Sequence, residues 1–242
     1  MDHVLMLGSA PMAVEARDWP RAPFDAVVAI NNAHMIRPDW DYHVYPWDFP
    51  ADRRPVPAAG QHAVTQEEFV PAQNAYGGFV YAGGTMAFTT AYWVLATLRP
   101  RVLAVFGCDM HYPAGQTHFY GKGSADPLRA DITLRSLEAK SARLMILAAL
   151  QGCAAVNLSS GPSRLVFPRS HRDGLQALRP RPFDAGLAAQ AMRREAELGY
   201  MVPSGRYWEE AHRFDPAALD AIDALWLAAA GIVADGRQKA SA

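Results

Sequence analysis

The chain is poor in cysteine, poor in lysine and without a long apolar run. Only two cysteines occur in 242 residues, Cys108 and Cys153. They lack metal-ligand spacing, and each flanks a predicted buried strand. Two unreacted, mostly buried thiols are expected, which fits a reducing compartment. Of the 23 basic residues only Lys122, Lys140 and Lys239 are lysines. Beside so many alanines, that bias reads as genomic base composition rather than as arginine-rich anion recognition. Net charge is −1, so nothing global argues for nucleic acid. No stretch reaches the roughly 18 apolar residues of a membrane span; the longest, 224–233, is too short. The opening residues, MDHVLMLGSAP, carry an acid at position 2 and a short apolar run, unlike a signal peptide. A bacterial cytoplasmic protein is expected, at most peripheral to the inner membrane. There is no Walker loop, no Gly-x-Ser-x-Gly elbow and no His-Glu-x-x-His.

What remains is an ordinary soluble composition, 50% hydrophobic and 19% charged, long enough to bury a full core. Apolar runs predict strands at 3–7, 25–30, 41–45, 101–106 and 154–158, with a weaker one at 60–65. Pro11 is placed to open a helix after the first. Helices are predicted at 86–98, stopped by Pro100, and at 132–150, stopped by Gly152. Strand and helix alternating at this spacing predict an α/β fold, a Rossmann-like, predominantly parallel sheet flanked by helices. From residue 161 the character changes. Residues 163–182 carry Arg164, Arg169, Arg172, Arg179, Arg181 and His171 against one acid, Asp173. Amphipathic helices are predicted at 185–198 and 216–233. A nucleotide-binding domain over 1–165 is therefore expected, followed by an Arg-rich connector and helical C-terminal extension over 166–242. That extension is expected to pack on the same domain, with homo-oligomerisation or membrane-surface contact as the alternatives. The tail after Gly231 is expected to fray.

Several clusters lie where a parallel sheet places ligands, after the C-terminal ends of strands. Gly8-Ser9-Ala10-Pro11 is either a plain tight turn or a backbone approach to an anion. Asn31 ends the second strand, as a turn residue or as a contact to phosphate or ribose. Gly83-Gly84-Thr85 opens a helix; Thr85 is either its cap or part of a base or phosphate site. The densest cluster is residues 106–121, FGCDMHYPAGQTHFYG. Asp109 ends the strand, and His111, Tyr112, His118 and Tyr120 follow on a long irregular stretch. Such stretches are usually functional or disordered. An imidazole with an unperturbed pKa of about 6.5 suits a general base, and phenols can donate to a leaving phosphate without adding charge. The plain alternative is a surface loop whose aromatics pack as a lid.

Asp39-Trp40-Asp41 matches an Asp-x-Asp cation pattern but precedes its strand, so it is expected at the wrong edge. Asp109-Met110-His111 offers two ligands, short of the three of a catalytic zinc. No metal site is expected.

In order and spacing these motifs resemble the bacterial sialyltransferases that act on lipooligosaccharide. The resemblance covers roughly residues 1–165. It rests on the Gly8-Ser9-Ala10-Pro11-Met12 turn, Asn31, Gly83-Gly84-Thr85, and Gly107-Cys108-Asp109 with its Tyr-bearing loop. It departs where Ser9 and Ala10 replace the family's asparagine and second glycine, and where His118 lies farther from the next helix. The pattern also resembles archaeal-type hydroxymethylpterin pyrophosphokinases. The resemblance implies a metal-independent, inverting glycosyltransferase using a CMP-activated sugar and no cofactor. It makes His118 the base and gives Tyr112 and Tyr120 the phosphate of the donor. Gly8, Ser9, Ala10, Asn31, Gly83, Gly84, Thr85 and Asp109 would bind the nucleotide. The Arg-rich segment, Arg164 and Arg169 above all, would hold an anionic glycan or other hydroxyl acceptor. The alternatives are a magnesium-dependent pyrophosphokinase, using Asp109 with Asp48 or Asp126, and a non-catalytic nucleotide-binding protein. The last expects His118 and both tyrosines to point away from the pocket.

Overall fold

Apolar strands without alternation need cover on both faces, and here they have it. The computed structural model describes residues 1–112, 116–121, 123 and 129–232. Of the tail expected to fray all but Ile232 lies outside the described residues, as do Lys122 and Asp126. Six strands form one parallel sheet: β1 His3–Leu7, β2 Ala26–Ile30, β3 Tyr42–Val44, β4 His62–Val64, β5 Val102–Phe106 and β6 Ala154–Asn157. Their order is β4-β3-β2-β1-β5-β6, and every pairing is parallel. The fold is α/β and Rossmann-like.

Alternate residues of each strand feed two cores. Val4, Met6, Val28, Ile30, Leu103 and Val105 face one. Leu5, Leu7, Val27, Ala29, Ala104 and Phe106 face the other. The first core is covered by true helices: α1 Gln66–Asn74, α2 Phe79–Ala82, α3 Met86–Thr97, α4 Leu137–Leu150, α5 Ala185–Leu198 and α6 Pro216–Ala229. The second is covered largely by 3-10 segments, Pro11–Asp18, Asn31–Met35 and Arg172–Ala177. Pro11 does open a helical segment, but a 3-10 one.

Two helix boundaries differ from expectation for reasons of capping. The stretch expected to run as helix from residue 132 divides in two. Asp131 accepts from the Thr133 amide and caps a short 3-10 turn, Ile132–Leu134. Ser136 then accepts from the Ala139 amide and starts α4. At the other end α6 stops at Ala229, ahead of Gly231 with φ +68°.

The C-terminal helices are joined to the sheet domain by a shared core. Ala188, Ala191, Leu219, Ile222 and Trp226 belong to the same apolar cluster as α3 and α4. Two basic side chains of α4 tie them down from beneath. Lys140 donates to Asp223 of α6 at 2.9 Å, and Arg143 bonds both oxygens of Glu195 on α5, at 2.8 and 2.7 Å. The apolar faces of α5 and α6 are thus used within the chain. Among the described residues no helix is long and apolar enough to cross a membrane.

The chain runs outward from β1 through β2 and β3 to β4, then returns to the other side of β1 for β5 and β6. The direction of winding reverses between β1 and β5. That reversal opens a crevice at the C-terminal ends of these two strands.

Candidate functional site

A cleft of about 1300 Å³ opens there. The turns after β1 and β5 form its floor. Gly8 donates its amide to Phe106 O at 2.8 Å, and Ala10 donates to Gly107 O at 3.0 Å. A Cβ on Gly8 would lie 2.3 Å from Gly107 O, so only glycine lets the two turns touch. Protein carbonyls occupy the Gly8 and Ala10 amides and Pro11 has none, which narrows the anion reading of the turn to the Ser9 amide. Ser9 gives its carbonyl to the Phe119 amide at 3.0 Å, which moors the His/Tyr segment to the floor.

That segment closes on itself. His118 and Gly121 exchange backbone hydrogen bonds, both at 3.0 Å. The His118 ring stacks on Tyr120 with centroids 4.9 Å apart and lies 5.9 Å from Tyr112. Thr117 Oγ1 is 2.9 Å from His118 Nδ1, which orients the imidazole. His118, Tyr112 and Tyr120 all line the cleft. Burial lowers the pKa of His118 below the usual imidazole value, so the ring is neutral at neutral pH. Burial first, then the neighbouring Cys108 and Tyr120, push the Tyr112 phenol up to about 12. Tyr112 is therefore a donor across the working pH range.

Asp109 lines the cleft while only 4% exposed. Asn157 Nδ2 donates to its Oδ1 at 3.0 Å, and among the described residues its buried Oδ2 has no partner. This buried carboxylate thus keeps a spare acceptor at the switch point.

Asn31 also lines the cleft, with φ at +50°. Two imidazoles hold that conformation: His34 Nδ1 and His43 Nε2 both donate to Asn31 O, at 2.8 and 2.7 Å. Burial drives the His43 pKa down to about 4, against the hydrogen bond to Asn31. The unfolded chain therefore takes up a proton between about pH 6.5 and pH 4 that the folded chain refuses. Stability is full above pH 6.5 and falls by roughly 3 kcal/mol as pH drops to 4. Urea unfolding at pH 7.5, 5.5 and 4 should show that slope, and His43→Gln should remove most of it. An unchanged slope in the variant would place the acid sensitivity elsewhere.

Gly84 and Thr85 line the cleft; Gly83 does not. Gly83 is buried behind them, its carbonyl accepting from Gln73 Nε2 at 3.0 Å. Thr85 is the cap of α3, accepting from the Phe88 amide at 3.3 Å. Gly84 gives its amide to Thr133 Oγ1 at 3.0 Å, and a Cβ there would lie 2.6 Å from that oxygen. Its lack of a side chain is required by that contact. The first turn of α3, Met86 and Ala87, does face the cleft, where amides without intrahelical acceptors favour an anion.

Arg164 and Arg169 do not line the cleft. Arg164 pairs with Glu138, and Arg169 donates to the carbonyls of Ser159 and Gly161. Both guanidiniums are spent on local structure, which corrects their placement as acceptor ligands. Asp39 and Asp41, from the Asp-x-Asp match, are likewise held by Arg37 and Arg21 and do not line the cleft. Among the described residues no three His, Cys, Asp or Glu side chains group to hold a metal ion. Cys108 and Cys153 are free and buried. Cys108 also lines the cleft, and burial raises both thiol pKa values.

One wall is absent from the sequence expectations. The segment between α5 and α6 contributes Ser204, Gly205, Arg206, Tyr207, Trp208 and Glu209. Tyr207 donates to Asp131 Oδ2 at 2.7 Å, and Arg129 pairs with the same oxygen at 3.0 Å. Burial would raise the Asp131 pKa, but bonds from Thr133 and Tyr207 outweigh it and keep the carboxyl ionised. The C-terminal extension therefore completes the cleft.

No family model matches this chain, and neither a curated protein nor a solved structure shows significant similarity to it.

Proposed function

We propose that the cleft binds a CMP-activated sugar and transfers the sugar, with inversion, to the hydroxyl of an acceptor. The observation that carries this reading is the convergence of a neutral, oriented imidazole and two phenols at the β1/β5 switch point. His118 takes the proton of the acceptor hydroxyl. The acceptor oxygen then attacks the anomeric carbon, and the bond from that carbon to the phosphate oxygen breaks. CMP departs with the electron pair, its phosphate stabilised by Tyr112, Tyr120 and the first turn of α3. One phosphate carries little enough charge for neutral donors and a helix N-terminus to hold it. The spare oxygen of Asp109 and the Asn31 side chain offer acceptors for nucleoside hydroxyl or amino groups. A non-catalytic reading expects His118 and the tyrosines outside the pocket, and their presence in its lining favours chemistry.

Titration of the full chain against CMP, CDP, UDP and ATP, each with and without magnesium, tests this. CMP is expected to bind at least tenfold more tightly than the others, with no need for metal. ATP binding only with magnesium would replace sugar transfer by phosphotransfer of the pterin pyrophosphokinase type. Silence toward all four would end the nucleotide reading.

A further inference from the structure

Large exposed aromatics are costly to leave in water, so their position carries information. The chain has six tryptophans. Trp40, Trp93 and Trp226 are buried and Trp19 is half-buried. The two that are exposed, Trp47 at 69% and Trp208 at 57%, both line the cleft. They come from opposite ends of the sequence, Trp47 from the loop after β3 and Trp208 from the segment between α5 and α6. Folding alone does not require two solvent-facing indoles in the lining of one cleft.

Neither wall is simply apolar. Asp48 and Arg53 line the cleft beside Trp47, and Arg206 and Glu209 beside Trp208. Trp208 is backed edge-on by Tyr207, centroids 5.4 Å apart, and Tyr207 is itself pinned to Asp131. A flat ring held in place, with charged hydrogen-bonding groups around it, matches one ligand chemistry closely. A pyranose presents a face of polarised C–H groups to an electron-rich ring and directs its equatorial hydroxyls outward to carboxylates and guanidiniums. Arg206 and Glu209 already pair with each other at 3.6 Å and keep outward hydrogen-bonding capacity for hydroxyls, and an acyl chain or an apolar peptide would bury Asp48 and Arg53 against groups that cannot hydrogen-bond. The cleft also has room for a second substrate. Its volume of about 1300 Å³ exceeds the roughly 300–1,000 Å³ that houses one small ligand.

We propose that Trp47 and Trp208 form the acceptor subsite, and that the acceptor is an oligosaccharide whose pyranose rings stack on these two indoles. This rests on the sugar-transfer reading for its role, though not for the binding itself. It also moves the acceptor from the arginines at 164 and 169 to the cleft walls that carry these two tryptophans.

Saturation-transfer NMR of the full chain against a panel of neutral and sialylated oligosaccharides tests it, alongside a CMP titration. Saturation is expected on ring C–H protons of at least one glycan. Trp47→Ala and Trp208→Ala are each expected to weaken that glycan at least tenfold while CMP affinity stays unchanged. Both sites are exposed, so the fold should tolerate the changes, and thermal unfolding of each variant checks this. No glycan bound, or glycan affinity unchanged in either variant, overturns the proposal. So does a tenfold loss of CMP affinity in the same variants, since the indoles would then stack on the nucleobase. Glycan binding that depends on both tryptophans while CMP fails to bind supports this subsite and sinks the CMP donor instead.

Discussion

Glu195→Ala is expected to lower the unfolding free energy by about 3–5 kcal/mol. Glu195 and Arg143 are both nearly inaccessible, with side chains 8% and 3% exposed. Their bidentate pair is the centre of a wider network. Arg143 also donates to the Tyr92 hydroxyl at 2.8 Å and to Tyr76 O at 2.5 Å, and Trp226 Nε1 donates to Glu195 Oε1 at 2.8 Å. Burial opposes the charge on Arg143, but Glu195 and Tyr92 hold it, and its pKa lies above normal. Removing the carboxylate therefore strands a buried cation and an indole N–H together. Against a total stability of about 5–15 kcal/mol for an ordinary domain, the loss is a large fraction. Chemical denaturation of parent and variant measures it. The double variant Arg143→Met with Glu195→Leu should lose much less than the sum of the two single changes, because no charge is then left unpaired. Strict additivity would mean that the pair is not coupled. The consequence reaches the cleft, since α5 leads directly into the wall that carries Tyr207 and Trp208. Amide exchange of residues 204–209 should rise in Glu195→Ala before global unfolding does.

The strands were legible because a buried parallel strand is an uninterrupted apolar run bounded by turn residues. Residues 3–7 and 102–106 needed nothing more. The order of motifs was legible for the same reason, as each follows the C-terminal end of a strand or opens a helix beside one. Two things were not. Helix α1 carries Pro71 in its interior and lacks a clean apolar stripe, and its packing against α3 overrides both signals. The second is the role of each glycine. Gly8 and Gly84 are demanded by close contact with Gly107 and Thr133, which a single sequence does not distinguish from approach to a ligand. The arginines at 164 and 169 misled for a related reason, because a cluster of one charge reads as an anion site until its carboxylate and carbonyl partners are seen. The wall at 204–209 carries a signal in the sequence as well. Tyr207-Trp208, flanked by Gly205, Arg206 and Glu209 in a stretch between two helices, sets aromatics beside a glycine as the His/Tyr segment does.

The His118 assignment can be tested at two levels that fail independently. The imidazole itself should titrate below pH 6.5, because burial disfavours its charged form, and NMR of the ring protons reads this without any substrate. A base works only when neutral, so transfer from a CMP-activated donor should be flat above that pKa and fall as pH drops through it. Tyr112, with its phenol near pKa 12, adds no alkaline limb below about pH 11. His118→Ala should cut kcat by about 10²–10⁴-fold, the range of a lost general base. CMP affinity should change little, since the phosphate contacts are assigned to the phenols and α3. Tyr112→Phe should do the reverse in part, weakening CMP while leaving the acid limb where it was. A His118→Ala enzyme with parental turnover would remove the imidazole from the chemistry. A variant that loses CMP binding as well as turnover would make His118 a wall of the donor site, held by Thr117 and Tyr120 for shape rather than for its proton.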